Sequence, residues 1–153
     1  MMFPKNMTNI FMTTKDLTYF VDSGAFYASK DPSDQNYKIA DDFMQEIRRD
    51  PLCRLITSNF IIDETITLIR MKLGHSAAVK FGRQIRKSKV IRIIHVTEKI
   101  EESAWKIFEK YSDKNFSFTD CTSFAIMDDE KIKNVLTFDK HFAQYGFVMK
   151  PGQ

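Results

Sequence analysis

The chain has 153 residues, with 23 Lys and Arg against 20 Asp and Glu and a formal net charge of +3. A hydrophobic fraction of 43%, 13% aromatic and 28% charged residues suit one folded domain and exclude a predominantly disordered chain. Two cysteines, Cys53 and Cys121, cannot make a disulfide framework, and with His75, His95 and His141 they give no zinc-site spacing, so cysteine usage points to a reducing cytoplasm.

Met1 to Lys15 contains Pro4, Asn6, Asn9 and four methionines but no continuous apolar core of a signal peptide. Residues 1–16 read as a loose leader, with Met12 as an alternative start, and residues 17–150 as the domain. No apolar run reaches the roughly 20 residues needed to cross a bilayer. The first strand is predicted at Leu17–Val21, ending at Asp22, followed by a short helix over Gly24–Ser29 and a turn at Asp31-Pro-Ser-Asp34. Ile39, Ala40, Phe43, Met44 and Ile47 recur at helical spacing within Tyr37–Arg49. A second strand at Arg54–Thr57 leads to Ser58, which can cap a helix running to Leu73, where Gly74 stops it. His75–Ser88 is the next helix, Val90–Val96 the third strand, and Thr97 can cap Glu98–Tyr111. Ser117 or Thr119 can cap a helix to about Glu130; Asn134–Thr137 is a fourth strand and Gly146–Met149 a possible fifth. Strands alternating with helices imply βαβ units and a parallel sheet covered on both faces, with chemistry at the carboxyl ends of the strands.

Four carboxylates stand at such places. Asp22 follows Tyr19-Phe-Val21 where a strand leaves the sheet, and a helix-capping role is the plain alternative. Glu64 has Ile61 and Leu68 on its helix face, which sets a charge on or beside an apolar stripe, while Asp63 points about 100° away as the solvated neighbour. Asp120 stands at the start of a helix, where it can favour the positive end of the helix dipole, and Asp139 ends the fourth strand, where a turn Asp is ordinary. Together, three or four converging acids repel unless cations neutralise them. Hard oxygen ligands suit Mg²⁺ or Mn²⁺, which serve phosphodiester hydrolysis by activating water and stabilising the leaving oxygen.

Tyr19-Phe-Val-Asp-Ser23, Thr57-Ser-Asn-Phe-Ile-Ile-Asp-Glu-Thr65, Phe116-Ser-Phe-Thr-Asp-Cys-Thr-Ser123 and Leu136-Thr-Phe-Asp-Lys-His-Phe142 resemble the PIN domain family in order and spacing, over residues 18–149. The resemblance implies an α/β/α sandwich with a central, mainly parallel sheet of four to five strands and Mg²⁺- or Mn²⁺-dependent ribonuclease activity. It implies that Asp22, Glu64 and Asp120 are the main acidic ligands, Asp139 the more variable fourth, and Ser23, Ser117 and Thr119 the supporting hydroxyls. The small single-domain form is similar to VapC-type toxins, which implies an RNA substrate, a cognate antitoxin that inserts a basic side chain among the acids, and a homodimer. Ile, Met and Val residues around Ile66–Val79 could supply the dimer interface or belong to the core. The leader before Leu17 is longer than is usual in the family, and Ser-Gly-Ala follows Asp22 where a polar amide is frequent.

Competing chemistries lack their residues. A haloacid-dehalogenase-type phosphatase needs a second Asp where position 24 is Gly, a phospho-receiver domain needs an Asp where strand three exits at Thr97-Glu98, and no Gly-x-Ser-x-Gly is present. His141 reads as a surface histidine and Cys121 as a small core residue. The non-enzymatic alternative is the same fold as a catalytically silent RNA- or protein-binding module. The charge is unevenly spread: Thr65 to Thr97 has no acid but carries Arg70, Lys72, Lys80, Arg83, Arg86, Lys87, Lys89 and Arg92, and the rest of the chain is net acidic. Arg70, Lys72, Lys80, Arg83, Arg86 and Lys87 are the candidate phosphate-binding set, with a solvated basic face as the plain alternative.

Overall fold

The structure is a computed structural model, and it describes residues 17–152. The predicted leader, 1–16, lies outside the described residues. Five strands form one sheet: β1 (Thr18–Val21), β2 (Arg54–Ser58), β3 (Ile91–Ile94), β4 (Asn134–Leu136) and β5 (Val148–Lys150). Their order is β3-β2-β1-β4-β5, and every pairing is parallel. Seven helices connect them: α1 (Ser23–Ala28), α2 (Tyr37–Arg49), α3 (Asn59–Leu73), α4 (His75–Lys87), α5 (Glu98–Lys110), α6 (Phe118–Glu130) and α7 (His141–Tyr145).

The strand order dictates the layers. From β1 the chain steps to β2 and β3 in one direction, then crosses back to β4 and β5 in the other. Right-handed crossovers taken in opposite directions put their helices on opposite faces. The contacts agree: α1 packs on α2 and α3, and α3 on α4, while α6 packs on α5 and α7. The reversal leaves a crevice at the carboxyl ends of β1 and β4, the point at which such sheets bind ligands.

Local rules set the element ends. Ser58 caps α3 by accepting from the Ile61 amide at 3.1 Å, and Thr97 caps α5 through Ile100. Gly74, at φ 99°, ends α3 and starts α4, a backbone angle that a residue with a Cβ rarely adopts. α2 buries Ala40, Met44 and Ile47 and leaves Ile39 52% exposed, so its apolar stripe is narrower than the spacing alone suggests. β3 is shorter than expected: Val90 and the residues after Ile94 fall outside it, and the Val96 amide bonds to the Asn59 side chain instead. In α6 every residue from Asp120 to Met127 is buried, as expected of a helix covered on more than one side.

The ring-rich core lies under α6 and α7. Phe124 stacks on Tyr145 with centroids 4.5 Å apart and meets Phe116 and Phe142 edge-on. Of the stretch considered as a dimer interface, Ile69 and Ala78 belong to the core, whereas Met71 is 79% exposed. Among the described residues, no helix is long and apolar enough to cross a membrane.

Candidate active site

β1 delivers Asp22 into the crevice, and its amide bonds to Leu136 O of β4 at 3.0 Å. Asp22 occupies the N-cap position of α1, but its side chain makes no capping bond. Its carboxylate instead accepts from Thr137 Oγ1 at 2.9 Å. The capping role that sequence allows for Asp22 is therefore not the one its carboxylate fills. Thr137 Oγ1 also accepts from the Asp139 amide at 3.0 Å, so one buried hydroxyl ties the first and fourth acids together.

Asp120 is the third residue of α6. Ser117 Oγ accepts from the Asp120 amide at 2.9 Å, and Asp120 Oδ2 accepts from the Ser117 amide at 3.0 Å, a reciprocal capping box. Ser117, rather than Thr119, is thus the cap of α6. Asp120 Oδ2 also accepts from His141 Nδ1–H at 2.9 Å, and Asp139 Oδ1 lies 3.4 Å from the same nitrogen. Ligand atoms of Asp120, Asp139 and His141 lie within 4.8 Å of one another. His141 is not a free surface group: its ring packs edge-on against Phe116, 5.5 Å away. One turn beyond Asp120 on the same helical face, Ser123 Oγ is fully buried and has no hydrogen-bond partner.

Glu64 projects from α3, which packs against α1, and its Oε1 accepts from Ser23 Oγ at 2.9 Å. Glu64 is an exposed residue at the edge of the apolar stripe, one of the two settings its spacing allows: the buried stripe of α3 is Ile61, Thr65 and Ile69, and Glu64 stands beside it. With Thr119, it lines an open concavity of about 540 Å³ that also presents Phe60, Leu68 and Met71. Ser23 thus bonds to Glu64 and Thr119 shares its concavity, while the group of ligand atoms within 4.8 Å of one another is Asp120, Asp139 and His141 without Glu64.

The electrostatics follow from this convergence. Burial pushes the Asp22 carboxyl up to about 7; the bonds from Thr137 and the Ser23 amide oppose the rise, and the charges of Asp120 and Asp139 add to it. Among the described residues, no Lys or Arg pairs with any of the four acids, and His141 is their only potentially cationic neighbour. Two buried carboxylates, Asp22 and Asp120, with the half-buried Asp139 beside them and no fixed counter-charge, fit a hard divalent cation. Two contributors were not found from sequence: Thr137 and His141. Their signal is the spacing Thr137-x-Asp139-x-His141 at a strand exit, where a turn folds alternate side chains onto one point.

The predicted basic residues lie elsewhere. Arg70 and Lys72 are in the last turn of α3, and Lys80, Arg83, Arg86 and Lys87 are on α4, all exposed. Lys72 Nζ sits over the Tyr27 ring, 5.0 Å from its centroid. His75, Lys80, Arg83 and Lys87 share one surface concavity.

Residues 19–148 match the family model described as PIN domain. The chain belongs to the PIN domain family. It is 43% identical over 94 residues to the 23S rRNA-specific endonuclease VapC20 of Mycobacterium tuberculosis, covering 61% of this chain and 71% of that one. It is 33% identical over 91 residues to a VapC ribonuclease of Archaeoglobus fulgidus, covering 59% of this chain and 56% of that one. The crystal structure of Mycobacterium tuberculosis VapC20, described as a Sarcin-Ricin loop cleaving toxin, superposes with a TM-score of 0.78 at 36% identity, over 85% of this chain and 96% of that one. FitAcB from Neisseria gonorrhoeae shares the fold, with a TM-score of 0.65 at 14% identity over 86% of this chain and 95% of that one. The expected three-layer architecture is thus borne out, with all five strands parallel.

Proposed function

We propose that this PIN domain protein is a VapC-type endoribonuclease that hydrolyses RNA phosphodiester bonds with Mg²⁺ or Mn²⁺ and is restrained by a cognate antitoxin. The observation that carries the reading is the meeting of Asp22, Asp120 and Asp139 at the β1/β4 crevice without a Lys or Arg partner. The likeness to VapC20 supports it and makes 23S rRNA the first substrate to test.

Asp22, Glu64, Asp120 and Asp139 would hold the cation; when bound, it polarises water and stabilises negative charge on the phosphate. The remaining residues hold these acids in place. Thr137 fixes one oxygen of Asp22 and the backbone of Asp139, while Ser117 and His141 both engage Asp120 Oδ2. Ser23 fixes one oxygen of Glu64. Carboxylates locked in this way need little rearrangement when charge develops on the substrate, which is the condition for electrostatic catalysis. Arg70, Lys72, Lys80, Arg83, Arg86 and Lys87 supply a basic flank for the RNA backbone. A homodimer and an antitoxin that places a basic side chain among the acids complete the reading.

The test is cleavage of 23S rRNA by the purified protein with Mn²⁺, with Asp22→Asn as the comparison. Cleavage by Asp22→Asn at the wild-type rate would sink the assignment.

A further inference from the structure

Among the described residues, Ser123 alone has a buried side-chain oxygen without a hydrogen-bond partner. The residue is 0% exposed and its Oγ shows less than 1 Å² of surface, so solvent does not satisfy it. A helical hydroxyl ordinarily donates to the carbonyl three or four residues back. Thr65 does so to Ile61 O at 2.6 Å, and Thr122 to Thr119 O at 2.7 Å. Ser123 forgoes that local bond, and a buried hydroxyl left unpaired is costly.

Helix geometry says where Ser123 stands. At 100° per residue it lies about 140° around α6 from Phe118, whose ring meets Trp105 and Phe108 of α5. It lies about 100° from Phe124, whose ring meets Phe142 and Tyr145 of α7. Its neighbours one turn nearer the amino end are Asp120, about 60° around the helix, and Thr119, about 40° around it. Asp120 belongs to the acid cluster, and Thr119 lines the Glu64 concavity. Helical side chains lean toward the amino end, so Ser123 stands beneath the acids.

The Asp120 carboxylate is unevenly used. The Ser117 amide and His141 Nδ1 both bond to Oδ2, which occupies its two lone pairs. Among the described residues, no bond falls on Oδ1. That oxygen keeps one lone pair for a cation and one for a donor. A cation shared with Glu64 would draw it toward the Thr119 side of α6, which is the side of Ser123. Residues three apart on a helix have Cβ atoms about 5–6 Å apart, a gap that a carboxylate and a hydroxyl close directly.

We propose that Ser123 is a positioning residue of the acid site: its Oγ–H is a reserve donor to Asp120 Oδ1, and the bond forms when a divalent cation takes the other lone pair of that oxygen. Without a cation the hydroxyl has no partner. With one, Asp120 is held by three donors, from Ser117, His141 and Ser123. The inference rests on the reading of the acids as a cation site.

The experiment compares wild type, Ser123→Ala and Thr122→Val as full chains, by Mn²⁺ calorimetry and by thermal unfolding in EDTA. Ser123→Ala should move the two readouts in opposite directions. In EDTA it should melt as high as the wild type or higher, because Ala replaces a hydroxyl that has no partner. Its Mn²⁺ affinity should fall about tenfold or more, as when a metal ligand loses a supporting partner. Thr122→Val removes a hydroxyl that is already bonded, so it should melt lower in EDTA and keep its Mn²⁺ affinity within about threefold. In wild-type crystals grown with Mn²⁺, Ser123 Oγ should lie within hydrogen-bond distance of Asp120 Oδ1. Wild-type Mn²⁺ affinity in Ser123→Ala, a lower melting temperature of that variant in EDTA, an equal loss of affinity in Thr122→Val, or another acceptor for Oγ in those crystals would overturn the role. No Mn²⁺ binding by the wild type would overturn the cation reading and this inference with it. Normal binding by the wild type and by Ser123→Ala alike would remove Ser123 alone.

Discussion

Replacing Asp22 with Asn should remove activity and, without metal, make the protein more stable near pH 8. Asp22 is 6% exposed, and burial foremost raises its carboxyl from 3.8 to about 7. In the unfolded chain the proton leaves near 3.8, whereas in the folded protein it is held to about 7. Between these values the folded state binds more protons, so its stability falls as pH rises: the contribution is full below pH 3.8 and lost above about 7. A rise of that size corresponds to about 4 kcal/mol, an upper value because water entry and relaxation reduce it. Asn carries no proton to lose, and its amide oxygen can still accept from Thr137 Oγ1. Urea unfolding in EDTA from pH 5 to 8 should show wild-type stability declining more steeply than that of Asp22→Asn, with the variant ahead at pH 8. Every other ionisable group is common to both proteins and drops out of the difference to first order. Parallel pH profiles, or a variant less stable at pH 8, would refute the account of Asp22 as a buried acid strained by its neighbours. Added Mn²⁺ should reverse the order by stabilising the wild type alone.

Mn²⁺ should raise the wild-type melting temperature in proportion to the logarithm of its concentration, and EDTA should abolish cleavage; a flat response would favour the catalytically silent module. His141→Ala should weaken Mn²⁺ binding by roughly 10- to 100-fold, as loss of a group that orients a ligand does, with affinity read by calorimetry; unchanged affinity would reduce His141 to packing on Phe116. Ser117→Ala removes the cap of α6 and should cost about 1 kcal/mol in denaturant unfolding, together with lower cleavage because Asp120 loses an anchor; full activity at reduced stability would separate the two roles. Arg83→Ala/Arg86→Ala should weaken RNA binding and flatten its salt dependence, whereas salt-independent binding by the wild type would remove the basic flank from the mechanism.

Much of this protein could be read from its residues alone, because the governing rules are local. Short apolar runs separated by helix-length stretches imply a parallel sheet, and Ser58, Gly74 and Thr97 mark helix ends where caps form. The acids at strand exits were legible for the same reason: a carboxylate at the carboxyl end of a parallel strand has a predictable address. Chain order does not disclose which strand exits meet. That depends on the reversal that sets β4 beside β1, pairing Phe20 with Val135 across 115 residues and bringing Thr137 to Asp22. His141 read as a surface residue because its partner, Asp120, comes from another helix. Sequence alone determined the element types, apart from the short helix α7, and the acids at strand exits, since both follow from spacing and side-chain type. Tertiary structure decided which charges share a site, since Coulomb interactions depend on distance in space and not along the chain.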